Sequence, residues 1–441
     1  MFRITCALAL AALPAAPAMA APVAGASQPA DIVLYRMARG DNLYTLAEHH
    51  LRRPGDYLAV QRLNRIADPR RIPVGTVLRI PKALLRFTAL EAQILAFRGA
   101  VSIRRDGAEV PIAVGTRTRE GDELVTGTNG FVSLGLPDRS TVSLPSQSRV
   151  TVQRLRRFSL TGGVDRLFAI GAGRARTVVT PMDATKDDFR FSTPAAVSAV
   201  RGTEFRMAYV EGRSTMEVLH GVVDLSTAAA RDAQAVEAGF GAVVADGQPP
   251  RAVALLPTPT LIDGGHVQDG DALDFAVQAL PGAHAYHAQI ARDAGFIDAV
   301  SETVSPGLAF SLPSVDPGMW FVRVAAFDEN GIEGMPVTVS FRRAPRPSGL
   351  PVETSKAGEE PEYLFKWTGG MSDHSQYRFQ LRKDGDALPM VDEIGLTTSE
   401  FTVRNLPPGA YSWRVFTLDS ADGTSWQSAM PDEHVTISPE Q

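Results

Sequence analysis

Two periodicities divide the chain. Near the N-terminus apolar residues recur at helical spacing: Leu43, Leu46, Ala47 and Leu51 fall on one face. Asp41 or Asn42 can cap that helix, and Pro54-Gly55 breaks it. A second helix carries Tyr57, Leu58 and Leu63 as its apolar positions. Strand-like segments flank the pair, Leu34-Tyr35-Arg36-Met37 before it and Val77-Leu78-Arg79-Ile80 after it. Pro73 and Gly75 turn the chain into the closing strand and Pro81 ends it. The pattern predicts a small strand–helix–helix–strand unit over residues 31–82.

Residues 83–93 read as a linker with some helical character (Ala83, Leu84, Leu85, Leu90). Beyond it the period changes to two. From about 94 to 247 short apolar runs alternate with Gly-containing turns, so this region is predicted to be β throughout. Phe97 to Ile103 reads as one strand, followed by a turn at Arg105-Asp106-Gly107. At its centre, Ser192 to Phe205 reads as a strand, a bend and a second strand. Pro194 holds the residue before it extended, and Gly202 supplies a conformation that a Cβ tolerates poorly. After Glu204 the alternation runs through Phe205, Met207 and Tyr209. Arg201 and Glu204 read as partners of each other or as caps of the bend. Stacked turns in a small solenoid and a sandwich both fit this periodicity.

Pro249-Pro250 and Pro257-Thr258-Pro259 mark the next boundary, and an internal repeat follows. Gly318 and Gly409 stand 91 residues apart, as do Phe310 and Phe401, and Tyr286 and Tyr377. Pro317-Gly318-Met319-Trp320 aligns with Pro408-Gly409-Ala410-Tyr411. In Tyr377 to Arg382 apolar and polar residues strictly alternate. The expected units are residues 258–343 and 350–438. Trp367 and Trp413 lie on alternating strands, which makes them core residues rather than sugar-stacking platforms.

With 441 residues the chain is too long for one core. Its net charge of −5 conceals an asymmetry. Residues 31–86 hold 11 Lys and Arg against 5 Asp and Glu, whereas residues 344–441 hold 8 against 15. A basic first unit favours a polyanionic surface, and the acidic C-terminal part argues against nucleic acid as the partner of the whole chain. Residues 1–20 read as a cleavable export signal, with Arg3, an apolar stretch from Ile4 to Leu13 and Ala18-Met19-Ala20 before the cut. Cys6 lies inside that signal and is the one cysteine, so the mature chain is expected to have no thiol chemistry. No later segment offers eighteen apolar residues in a row, so no stable transmembrane anchor is expected. The localisation expected is periplasmic or secreted.

Three resemblances sharpen this organisation. Residues 31–82, with Gly40-Asp41-Asn42-Leu43-Tyr44-Thr45-Leu46-Ala47 and Ile72-Pro73-Val74-Gly75-Thr76-Val77-Leu78-Arg79-Ile80-Pro81, resemble a LysM module along their whole length. The resemblance implies a βααβ fold that binds the N-acetylglucosamine backbone of peptidoglycan or chitin. It implies one groove wall from Gly40, Asp41, Asn42, Leu43 and Tyr44, and a second from Asn64, Arg65, Ile66 and Ala67. Backbone amides and short polar side chains can read an acetamido group, and apolar side chains can receive its methyl. Asn42 departs from the Thr or Ser usual in that family. Asp41 as a mere cap and Asn64 as a mere turn-former remain alternatives. Ser192-Thr193-Pro194 with Val200-Arg201-Gly202-Thr203-Glu204-Phe205 resembles the motif of the FecR domain, known from envelope signal transducers. Gly121-Asp122-Glu123-Leu124-Val125-Thr126-Gly127 and Leu136 to Leu144 match further stretches, with Arg139 in place of the usual Gly. The repeat units resemble fibronectin type III-like sandwiches. The fold class expected is therefore multidomain and mainly β: a LysM-like unit, an all-β FecR-like domain and two sandwiches.

Catalytic patterns are missing. There is no Gly-x-Ser-x-Gly, no Ser-x-x-Lys opening a penicillin-binding type site and no His-Glu-x-x-His. His49 and His50 would point about 100° apart on a helix, and His284 and His287 would face opposite sides of a strand. Asp269-Gly270-Asp271 and Asp384-Gly385-Asp386 lack the further ligands of a calcium loop. No cofactor is expected. The expectation is a non-enzymatic exported protein that binds peptidoglycan and presents its β domains to envelope proteins. FecR-type signalling through an anti-sigma mechanism and a cryptic wall hydrolase are the alternatives.

Overall fold

A computed structural model describes residues 32–438 apart from 184, 201, 230–232, 246–247, 263–266, 345–346, 358–359, 369–375 and 422–423. The expected export signal, with Cys6, lies outside the described residues, as does Arg201.

The first unit has the order strand, helix, helix, strand. β1 (Ile32–Arg36) pairs antiparallel with β2 (Val77–Pro81), Ile32 opposite Pro81 and Arg36 opposite Val77. Between them lie α1 (Leu43–His50), a single 3₁₀ turn at Pro54–Asp56 and α2 (Tyr57–Leu63). Leu43, Leu46 and Ala47 of α1, with Leu51 just beyond it, enter the core with Leu78 and Ile80. The second helix differs from expectation. Its buried residue is Val60, while Leu58 and Leu63 are exposed, because α2 is two turns long and lays only a narrow stripe on the sheet.

The segment after Pro81 is not a free linker. Leu85 is fully buried in the first unit's core, and Phe87–Ala89 pairs with Arg156–Phe158 of the following body. Phe158 returns the connection by entering the first unit's core. Lys82 Nζ lies 2.9 Å from Asp165 and 2.6 Å from Asp188. The helical character read in this segment is a single 3₁₀ turn at Lys82–Leu84, with Leu84 and Leu85 set against the first unit's core.

From Ala92 to Ala254 the chain is β. Two sheets close on one another around a single core, which includes Phe168, Phe189, Phe191 and Phe205. The fifteen-residue strand Val164–Val178 belongs to both. Its first half pairs with Arg149–Phe158 and, in parallel, with Asp188–Ser192. Its second half pairs with Glu204–Val210 and Thr141–Leu144. The layered arrangement answers what the periodicity left open. Phe97 to Ile103 is two strands, Ala92–Arg98 and Val101–Arg105, rather than one. Gly99 bends the chain at φ +64°, where an added Cβ would stand 2.0 Å from the Asn129 carbonyl oxygen. Arg139, where the resemblance leads one to expect Gly, sits at φ +69°. The central stretch is the strand Ala196–Val200, a bend at Gly202 and the strand Glu204–Val210.

Two sandwich units follow. In the first, Ala272–Val277 and Ala309–Pro313 face the sheet of Ala285–Ala291, Ala299–Ser305, Gly318–Phe327 and Val337–Arg343. In the second, Glu360–Thr368 and Glu400–Arg404 face Gln376–Lys383, Val391–Leu396 and Gly409–Ala421. The repeat is visible in the pairing: Gln289 lies opposite Arg323, and Gln380 opposite Arg414. Trp367 and Trp413 are buried in the second core.

Candidate functional site

The first implied wall is tied to the loop that follows the second by one backbone bond, Leu43 N–H donating to Pro69 O at 3.1 Å. On the first wall Gly40 turns the chain at φ +93° with open space where a Cβ would stand. Asp41 Oδ2 accepts from Ala38 N at 2.7 Å and from the Tyr35 hydroxyl at 2.8 Å. Burial first, and that bond second, push the Tyr35 hydroxyl pKa up. Asn42 caps α1: its Oδ1 accepts from Tyr44 N and Thr45 N, both at 3.0 Å. Leu43 is fully buried, so its side chain serves the core. Tyr44 is exposed, with its ring 4.6 Å from that of Tyr57 and 5.9 Å from the Arg70 guanidinium.

On the second wall Asn64 is a strut. Its amide donates to Val60 O and Arg79 O, both at 2.8 Å, and accepts from Arg79 N at 2.7 Å, tying α2 to β2. Arg65 takes a left-handed conformation at φ +54°. Ile66 is half-buried and is held through its carbonyl by Gln61 Nε2 at 3.0 Å, while Ala67 is exposed. The short polar side chains thus hold the loops in place, leaving backbone and the Tyr44 ring as the surface a ligand could meet. Arg70 was missed in the sequence and Tyr57 was read only as an apolar helix position; both flank Tyr44, and Arg70 follows a turn that spacing alone does not place beside it.

A second cluster, also missed, lies where the β body meets the first sandwich. Its hub is the Glu333 carboxylate. His287 Nδ1 and Arg206 Nη1 each lie 3.0 Å from Glu333 Oε1, and Arg174 Nη1 lies 3.6 Å from Oε2. Arg206 Nη2 also donates to Gly334 O at 2.7 Å. His287 Nε2 lies 3.0 Å from Glu302, which accepts from Ser146 N and Gln289 Nε2, each at 3.0 Å. Arg176 pairs with Glu204 and donates to Gly295 O at 3.0 Å. Glu204 is therefore claimed by Arg176.

The charges of this cluster are displaced from their usual behaviour. Burial opposes the imidazolium of His287, yet Glu333 and Glu302 outweigh it and hold the pKa up at about 9. Burial would raise Glu302, but the bond to His287 brings it down to about 2. Burial likewise works against the Glu333 carboxylate, and Arg206 and His287 hold it well below the ordinary range. Burial pushes Glu217 up to about 7 against the opposing pull of Arg206. Among the described residues no group of three or more His, Cys, Asp or Glu could hold a metal ion. No helix among them is long and apolar enough to cross a membrane.

The FecR protein family model matches residues 122–224, which lie within the two-sheet body. No curated protein matches. Among solved structures, a "putative anti-sigma factor" from Parabacteroides distasonis is 16% identical with a TM-score of 0.25; the match covers 30% of this chain and 59% of that one. The chicken CNTN1 FN1–FN3 domains are 12% identical over 56% of this chain and 96% of theirs, with a TM-score of 0.22. A two-domain fibronectin type III segment of chicken tenascin is 14% identical over 41% of this chain and 99% of that segment, with a TM-score of 0.24. Scores of this size do not establish a shared fold. What the comparisons do establish is a FecR domain over residues 122–224.

Proposed function

We propose that the protein is a non-enzymatic, exported envelope protein of the FecR type, whose first unit holds cell-wall glycan while the β body and sandwiches bind envelope proteins. The FecR match over residues 122–224 supports the FecR-type part of this reading. The glycan half rests on the strand–helix–helix–strand order of a LysM module and on the bond from Leu43, on the first implied wall, to Pro69, just past the second. Peptidoglycan is the glycan proposed, and Tyr44, with Arg70 beside it, is the surface proposed to meet it. A single unit gives weak binding to a short oligosaccharide, so retention on polymer comes from many neighbouring sites.

Sedimentation with purified sacculi tests the reading. The full mature chain is expected in the pellet, and Tyr44→Ala is expected to cut the pelleted fraction several-fold. Absence of the wild-type chain from the pellet removes the glycan assignment, and release of soluble muropeptides replaces it with a hydrolase. A second reading, FecR-type signalling through a sigma factor, is favoured by the same family match. Firm retention in the inner membrane would support it over tethering, and release with wall fragments would support tethering.

A further inference from the structure

The joint between the β body and the first sandwich holds a partly open cavity of about 50 Å³, several times the space one water needs, roughly 10–15 Å³. Arg174, Arg176, Arg206 and Arg323 line it, together with Glu217 and Glu333. Three of these cations are matched. Arg176 has Glu204, and Arg174 and Arg206 share Glu333. His287, also on the cavity wall, divides its two nitrogens between Glu302 and Glu333.

Arg323 has no carboxylate partner among the described residues. It is only 7% exposed. Its Nε and Nη2 reach neutral acceptors at long range, Thr338 Oγ1 and Ala294 O, each at 3.3 Å. Its guanidinium stacks 3.8 Å from the centre of the Phe296 ring, which fixes its plane. Nη1 is buried without a hydrogen-bond partner among the described residues. The same holds for Arg206 Nε, whose nearest carboxylate, Glu217, is 3.7 Å away. Burial first, and then the neighbouring charge of Arg176, push the Arg323 pKa down to about 9. A buried, incompletely bonded cation is costly, and an anion that takes its free N–H groups removes that cost.

We propose that this cavity is a binding site for a small oxyanion no larger than phosphate, held by Arg323 Nη1 and Arg206 Nε. Carboxylate, phosphate and sulfate share the required chemistry: a compact negative group with several acceptor oxygens facing a guanidinium. The acids on the cavity wall do not compete for Arg323. Glu333 is engaged by three cations, and Glu217, its pKa raised by burial to about 7, is mainly protonated only below that pH. Because the walls come from both the β body and the first sandwich, an occupied site ties the two together.

The test is a titration of the full chain, followed by thermal unfolding and calorimetry, with inorganic phosphate, sulfate and acetate in separate arms. Sodium chloride at matched ionic strength is the reference. The expected result is a saturable upward shift of the unfolding temperature with at least one oxyanion beyond the chloride reference, the arm naming the preferred group. Arg323→Met is expected to weaken that binding by roughly tenfold or more, the loss of one charge-assisted bond. Arg414→Met, at the matching register position of the second sandwich, is expected to leave it unchanged. If Arg323→Met does not fold, Arg323→Lys takes its place, since it keeps the charge and loses the fork. No saturable shift in any arm, or equal affinity in wild type and the Arg323 variant, overturns the assignment.

Discussion

In the first sandwich His287, Gln289 and Glu302 stand together on one sheet face, and in the second Arg378, Gln380 and Asp392 take the same places. Gln289 lies opposite Glu302 on one side and Arg323 on the other, just as Gln380 lies between Asp392 and Arg414. Both faces join a carboxylate to a nitrogen base and a glutamine: Glu302 to His287 and Gln289, Asp392 to Arg378 and Gln380. One face is covered by the β body, and the other is open to solvent among the described residues. The difference teaches that the chemistry of a constellation belongs to what lies over it. Covered, the carboxylate Glu302 is held to a pKa of about 2 and the imidazole His287 to about 9. Uncovered, Asp392 is lowered by its bond to Arg378, but water screens the pair.

The largest way to break this comparison is to remove the hub. Glu333→Ala leaves Arg206 and His287 buried without their carboxylate, and the full chain is expected to lose about 3–5 kcal/mol in denaturant unfolding. A loss no greater than that of a surface substitution would mean that the joint is solvated and the contrast false.

Next comes pH. His287 has its pKa raised in the fold, so its stabilisation is complete below its ordinary value near 6.5 and is lost as pH rises through about 9. Glu217, raised to about 7, adds a loss between about 4.5 and 7, because its proton is bound more tightly in the folded chain. Glu302 and Glu333 act in the other direction, stabilising above about 4.5 and failing as acid protonates them. Limited proteolysis between the body and the first sandwich should therefore accelerate from pH 6.5 to 9. His287→Gln should flatten that rise above pH 7. A proteolysis rate insensitive to pH in the wild type would contradict the buried pairing.

The smallest effect sharpens the contrast from the other side. Asp392→Ala removes the counterpart carboxylate of the open face and should leave the denaturation midpoint nearly where it is. A large loss would show that this face too is covered in the folded chain.

Much of the architecture was legible because it depends on local rules. Helical spacing of Leu43, Leu46 and Ala47 placed α1, and the 91-residue register of Tyr286 and Tyr377 placed equivalent strands. The capping role of Asn42 was readable from its position ahead of an apolar face. Gly99 was read as a strand interior, because its contact with Asn129 is a matter of tertiary approach. Leu85 looked like a linker residue because the pocket that receives it comes from a distant part of the chain. The charged joint was the hardest to see. Arg206 and Glu217 occupy the polar positions of alternating strands, which normally face water, and nothing in the alternation says that another domain covers them. Of the implied groove residues, Leu43 shows the same limit in reverse: the motif names the position, but its side chain points to the core.

The strand shared by the two sheets has a mechanical consequence. Near its start Asp165 is gripped by Lys82, beside the first unit, and further along Arg174 and Arg176 grip Glu333 and Gly295 of the first sandwich. Nine residue steps separate the two grips, and Gly173, at φ +77°, bends the strand where it passes from one sheet to the other. Pulling the first unit away from the first sandwich therefore loads a single strand common to both sheets, so the ladders of both layers are stressed together.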